Sequence, residues 1–122
     1  MTAKILLVDD SGLARRGVRQ ILESEGYEVV EAQDGLSALE RYFLEKPNVV
    51  LLDLVMKGMN GLDVLKKLHE MDTTARVVVV SADIQDSSRA LAEAGGACGF
   101  VTKPVERAGI LKAVAGALEA PR

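Results

Sequence analysis

Val49-Val50-Leu51-Leu52-Asp53 is the stretch on which the fold turns: four aliphatic residues in succession, stopped by a carboxylate. A strand with one wet face alternates apolar and polar residues. An unbroken apolar run of this length suits a strand buried on both faces, as in a parallel sheet covered by helices. Three further runs share the form. Ile5-Leu6-Leu7-Val8 ends on Asp9-Asp10, Val77-Val78-Val79-Val80 on Ser81, and Phe100-Val101-Thr102 on Lys103-Pro104. In an open parallel sheet, ligands bind just beyond the carboxyl ends of the strands. The run ends therefore bring three carboxylates, a hydroxyl and an ammonium to one rim, a donor set for a divalent cation and a phosphoryl group.

Helical patterns separate the runs. Residues 4–9 read as a strand and 12–26 as a helix, with Ala14, Val18, Ile21 and Leu22 at helical spacing and Gly26 as its C-terminal cap. Residues 27–32 read as a second strand. Asp34-Gly35 is a turn, and Leu36, Leu39, Tyr42 and Phe43 mark a helix that stops before Pro47. The third strand spans 48–53. After a loop with Gly58, Asn60 and Gly61, Leu62, Leu65 and Leu68 form an apolar face opposite Asp63, Lys66 and Lys67. Residues 75–81 are a fourth strand, 86–95 a weak helix of Ala90, Leu91 and Ala94, and 98–102 a fifth strand. The last helix, 105–118, turns Ile110, Leu111, Val114 and Leu118 inward.

Five strands alternating with five helices predict a single α/β domain, a doubly wound parallel sheet. Alternation gives the class; the flavodoxin-like order 2-1-3-4-5 is a known solution for this count, with a switch point between strands 1 and 3. No repeat or linker divides the chain, so residues 1–122 are expected to form one domain with no output domain attached.

Composition narrows the function. Hydrophobic residues make up 48% of the 122, enough for a core, and with aromatics at 3% that core must be aliphatic. A net charge of −3 argues against direct nucleic-acid binding. Cys98 is the single cysteine, which excludes an internal disulfide and suits a reducing cytoplasm; beside Phe100-Val101 it reads as a small core residue. No apolar stretch nears the ~20 residues that cross a bilayer, and no signal peptide is evident. A cytoplasmic protein with no membrane contact is the expectation.

Asp53 is the candidate nucleophile, because a carboxylate can hold a phosphoryl group as an acyl phosphate. Its difficulty is charge: two like charges about 5 Å apart repel by roughly 3 kcal/mol at an effective dielectric near 20. Mg²⁺ answers this, since it takes oxygen ligands and phosphate oxygens together. Lys103 adds a second positive charge and Ser81 a hydroxyl donor.

These motifs carry a resemblance. Val8-Asp9-Asp10-Ser11, Leu51-Leu52-Asp53-Leu54 followed by Met56 and Asn60-Gly61, Val80-Ser81-Ala82, and Gly99-Phe100-Val101-Thr102-Lys103-Pro104 are each weak alone. In this order the chain resembles the receiver domains of two-component response regulators, the CheY-like family. The resemblance implies Asp53 as phosphoacceptor and site of modification. It implies Asp10 as the main Mg²⁺ carboxylate, Asp9 as a ligand largely through water, and the Val55 carbonyl as a further ligand. It implies Ser81 as switch hydroxyl, Phe100 as switch aromatic, Lys103 as phosphate-binding lysine, and a cis bond at Lys103-Pro104. Three positions depart from the usual pattern: Lys57 replaces a proline, Val105 a phenylalanine, and Val55 a polar residue. Val55 is expected to hinder an attacking water and slow the loss of phosphate.

The resemblance also implies partners: a sensor histidine kinase as phosphodonor, and a protein effector bound through the fourth helix, fifth strand and fifth helix. A chemotaxis-type role is the first expectation, with the chain a monomer or a phosphorylation-dependent dimer. A receiver fragment of a larger regulator is the alternative. A Mg²⁺-dependent aspartyl-phosphate phosphatase is a rival from the enzyme class, but its Asp-x-Asp-x-Thr after the first strand is missing. A dinucleotide- or flavin-binding module lacks its Gly-x-Gly-x-x-Gly turn. The intact acidic set argues against a degenerate receiver that only docks. His69, the sole histidine, is expected on the outer face of the third helix.

Overall fold

The computed structural model describes residues 2–56, 59–82 and 86–120. Lys57 and Gly58 lie outside these described residues. The five long strands are β1 (Lys4–Val8), β2 (Glu28–Ala32), β3 (Val49–Asp53), β4 (Val77–Ser81) and β5 (Gly99–Thr102). They form one parallel sheet in the order β2-β1-β3-β4-β5. Between them run α1 (Gly12–Ser24), α2 (Gly35–Glu45), α3 (Gly61–Met71) and α4 (Asp86–Ala94), and α5 (Arg107–Glu119) closes the fold. This is the doubly wound sheet and strand order that the alternation and the resemblance imply.

The continuous apolar runs are divided by the pleat. Successive side chains of a strand point to opposite faces, so each central strand feeds two cores. Ile5, Leu7, Val49, Leu51, Val78 and Val80 pack with Leu22 of α1 and Ile110, Val114 and Ala117 of α5. Leu6, Val8, Val50, Leu52, Val77 and Val79 pack with Ala38 and Tyr42 of α2, Val64, Leu65 and Leu68 of α3, and Ala92 of α4. Beyond the half-buried Lys4 that opens β1, neither face of β1, β3 or β4 meets water, which is why the runs stay apolar up to their ends.

Turn chemistry sets the helix ends. Ser11 Oγ accepts from the Ala14 N–H at 3.2 Å and caps α1, and Asp34 with Ser37 forms a capping box on α2. Gly26 follows α1 with φ +87°. After β3 the chain makes a two-residue antiparallel ribbon, Val55–Met56 against Met59–Asn60, where the sequence suggests only a loop. Gly61 then opens α3 pressed against the chain it has just left. A Cβ there would lie 2.5 Å from Leu54 Cα and 2.9 Å from the Asp53 carbonyl oxygen.

Several faces differ from the sequence reading. Phe43 is 71% exposed, and in α4 Ala92 is buried while Leu91 is 58% exposed. In a short helix of small residues, spacing cannot say which residue faces the sheet. Cys98 is exposed rather than core, since it precedes the first paired residue of β5 and only its thiol reaches in, 3.5 Å from the Val77 carbonyl. His69 is not on the outer face of α3. It is half-buried, with Nδ1 3.2 Å from the Leu65 carbonyl, and its ring fills the space above Gly96. Among the described residues no helix is long and apolar enough to cross a membrane.

Two glycine substitutions should move stability in opposite directions in chemical denaturation. Gly61→Ala forces backbone apart beside Asp53 and should cost about 1–3 kcal/mol. Gly116→Ala, in α5 with nothing within 4 Å of the added methyl, should gain up to about 1 kcal/mol.

Candidate functional site

Four strand ends meet on one rim. Asp9 follows β1, and its backbone N–H donates to the Ala32 carbonyl at 3.2 Å, prolonging the pairing with β2 by one step. Its Oδ1 then accepts from the Ser11 N–H at 2.9 Å, which holds the turn into α1. Asp53 ends β3. Its Oδ1 accepts from the Val55 N–H at 3.0 Å, a bond made possible by the ribbon after the strand. Both carboxylates are nearly buried, while Asp10 is exposed.

Lys103 joins them. Its Nζ lies 3.0 Å from Asp9 Oδ2 and 3.1 Å from Asp53 Oδ2. Its backbone N–H donates to the Ser81 carbonyl at 2.9 Å, so the end of β5 is tied to the end of β4, and Lys103-Pro104 is cis. Asp9, Asp10 and Asp53 each offer an oxygen within 4.8 Å of the others. Among the described residues this cluster holds three carboxylates and the Lys103 ammonium. Burial pushes the Asp53 carboxyl above its ordinary pKa, against the pull of the Val55 N–H and Lys103, with Asp9's charge adding to the rise. Burial would lower the Lys103 ammonium; the Asp9 and Asp53 carboxylates outweigh it and raise it. An all-oxygen donor set fits a hard divalent cation such as Mg²⁺, and among the described residues the cluster includes no histidine or thiol to favour a softer metal.

The sequence profile of the response regulator receiver domain matches residues 5–115. The chain belongs to this family. The receiver is 36% identical over 115 residues to the chemotaxis protein CheY of Bacillus subtilis, covering 93% of this chain and 96% of that one. It is 48% identical over 104 residues to a protein-glutamate methylesterase/protein-glutamine glutaminase of Myxococcus xanthus, covering 83% of this chain and 30% of that longer protein. Among solved structures it superposes with a TM-score of 0.92 and 31% identity on a CheX–CheY–BeF3–Mg²⁺ complex from Borrelia burgdorferi, covering 97% of this chain and 90% of that one. It is a CheY-like receiver domain of two-component signalling, a family that works as a phosphoacceptor switch.

Around the acidic core of this receiver, Ser81 ends β4 buried, 2% exposed. Phe100 in β5 is half-buried against the α2–α4 core, with the Arg89 guanidinium 5.1 Å from its ring centroid. The Val55 side chain is 68% exposed at the mouth of the site. Between α1 and the turn into α5 opens a cavity of about 320 Å³, lined by Leu13, Val18 and Val105 and reaching Asp53 and Lys103.

Sequence reading missed Arg15. Its Nη1 donates to the Asp9 carbonyl at 2.5 Å and its Nε lies 3.0 Å from Glu31. The signal was Glu31, an acid inside a strand that borders α1. Burial alone would raise the Glu31 carboxyl; Arg19 and Arg15 hold it below its ordinary value.

Because the fold disfavours ionised Asp53, its charge costs stability at neutral pH when no divalent cation is present. Asp53→Asn should raise the melting temperature at pH 7 in chelator by a few degrees. The gain should shrink as pH falls through the raised carboxyl pKa, and vanish near pH 3, below the ordinary value of about 3.9. Lys103→Met leaves two buried carboxylates facing each other and should cost roughly 2 kcal/mol at pH 7. In the wild type, Lys103's contribution should fade only as pH rises past its ordinary value of about 10.4 toward the raised one. Thermal melts across pH check both signs.

Proposed function

We propose that Asp53 accepts a phosphoryl group from a sensor histidine kinase and that the modified domain binds a protein effector through α4, β5 and α5. One observation carries this reading: Lys103 Nζ bridges Asp9 and Asp53 while Asp10 stands within the same 4.8 Å cluster. An Asp53 oxygen forms the new O–P bond as the donor's P–N bond breaks, with the electron pair returning to the imidazole nitrogen. A carboxylate nucleophile needs no base to activate it. Val55's N–H fixes the Asp53 rotamer, and Lys103 stands ready to donate to a phosphoryl oxygen. Asp9, Asp10, Asp53 and the Val55 carbonyl are the groups that would hold Mg²⁺, which supplies charge neutralisation between donor and acceptor.

The charge added at Asp53 can then be read by Ser81, whose hydroxyl can donate to it, and by Phe100, two strands' width away on β5. Driving such a switch from 1:99 to 99:1 takes about 5.5 kcal/mol. The Arg89 contact holds Phe100 by only about 0.5–1 kcal/mol, small enough to yield. A cytoplasmic receiver with a chemotaxis-type role is the reading we favour, as a monomer or a phosphorylation-dependent dimer. The 48% identity to a Myxococcus protein of which the match covers 30% supports a second reading, the receiver segment of a larger regulator.

Incubation with acetyl phosphate and Mg²⁺ should add one phosphoryl mass to the wild type and none to Asp53→Asn. A gain in both proteins, or in neither, removes Asp53 from the acceptor role. Val55→Asn, which puts a polar group at the mouth of the site, should shorten the phosphorylated lifetime several-fold, read by the decay of that mass.

A further inference from the structure

The Asp9–Asp10 peptide is gripped from the side away from Lys103. Arg15, one turn into α1, folds back so that Nη1 donates to the Asp9 carbonyl at 2.5 Å. Its Nε is held by Glu31 Oε1 on β2 at 3.0 Å, and Glu31's other oxygen takes Arg19 Nη1 at 2.5 Å. Arg19 is also paired with Glu23 at 3.3 Å. The Arg15 side chain is 17% exposed, the most buried of this group.

We propose that Arg15 is a positioning residue for the divalent-cation site: it fixes the Asp9–Asp10 peptide plane, and so the direction in which Asp10 presents its carboxylate, with Glu31 holding the guanidinium in place. Asp10 is exposed, and the Asp9 side chain is already engaged by Ser11 and Lys103, so Arg15 acts on the peptide that joins the two acids. A guanidinium gripped at Nε by a carboxylate has its fork pre-set, so the bond to the carbonyl is made without ordering a free side chain. Charge explains why arginine can be used beside a cation site. Arg15 and Arg19 are balanced by Glu31 and Glu23, so the network orients the anionic turn without adding net positive charge next to the metal.

A purely electrostatic role gives a different result from a positioning role, which makes the inference testable. If Arg15 acted only by charge, Arg15→Met would remove a nearby positive charge and tighten Mg²⁺ binding. If it positions the turn, Arg15→Met should weaken Mg²⁺ binding about tenfold, the scale seen when partners that orient metal ligands are lost. Glu31→Gln should weaken it in the same direction. Arg15→Lys should recover only part of the loss, since an ammonium has no fork. Arg19→Met, which touches Glu31 but not Asp9, serves as the control and should leave affinity within about twofold.

The inference rests on the Mg²⁺ reading of the site, and the measurement separates the two. The receiver without phosphodonor is titrated with MgCl2 by calorimetry, and amide NMR shifts follow Asp10 and Val55. No saturable binding by the wild type overturns the metal reading and this inference with it. Binding by the wild type with Arg15→Met unchanged or tighter overturns the positioning role alone. Equal weakening by Arg19→Met overturns it too, since loss of the network in general would then suffice. Should Arg15→Met fail to fold, Arg15→Lys and Glu31→Gln carry the test.

Discussion

A single ammonium decides whether this rim holds together. Asp9 and Asp53 are nearly buried, and Lys103 Nζ sits within 3.1 Å of each. Asp10 adds a third carboxylate to the cluster. In the proposed reading these acids would hold a cation where a phosphoryl group arrives. The raised pKa of Asp53, caused by burial, is the sign that stability was given up here.

The sheet makes the arrangement rigid. Because β1, β3 and β4 are clamped between two aliphatic cores, their ends are fixed relative to one another. The short ribbon after β3 and the close seat of Gly61 on Leu54 extend that rigidity to the loop that carries Val55. The opposite face is looser. Leu91 is exposed on α4, and Phe100 is only half-buried under Arg89. A fixed site beside a less tightly packed face is what a conformational readout requires.

Much of this was legible in the chain. Runs such as Val77–Val80 have no polar residue, so only a strand covered on both faces accommodates them, and the residues that end the runs must gather at one edge. The strand order was expected only as a known solution for five strands, since alternation leaves it open. What escaped reading depended on single orientations. Leu91 and Ala92 differ by 100° around a helix, and periodicity in nine residues rich in alanine does not resolve that. His69 is held inward by the absence of a side chain at Gly96, a relation across 27 positions that no local pattern records. Arg15 carried no signal of its own, and only the placement of β2 beside β1 shows Glu31 turning it toward the acidic turn.

The lysine that completes the pocket lies 94 positions after Asp9 and 50 after Asp53, one residue past β5. A chain still emerging from the ribosome, with β5 not yet made, would hold Asp9 and Asp53 without the ammonium that bridges them. In the proposed reading, readiness for charging with phosphate thereby waits on the last strand of the sheet being in place.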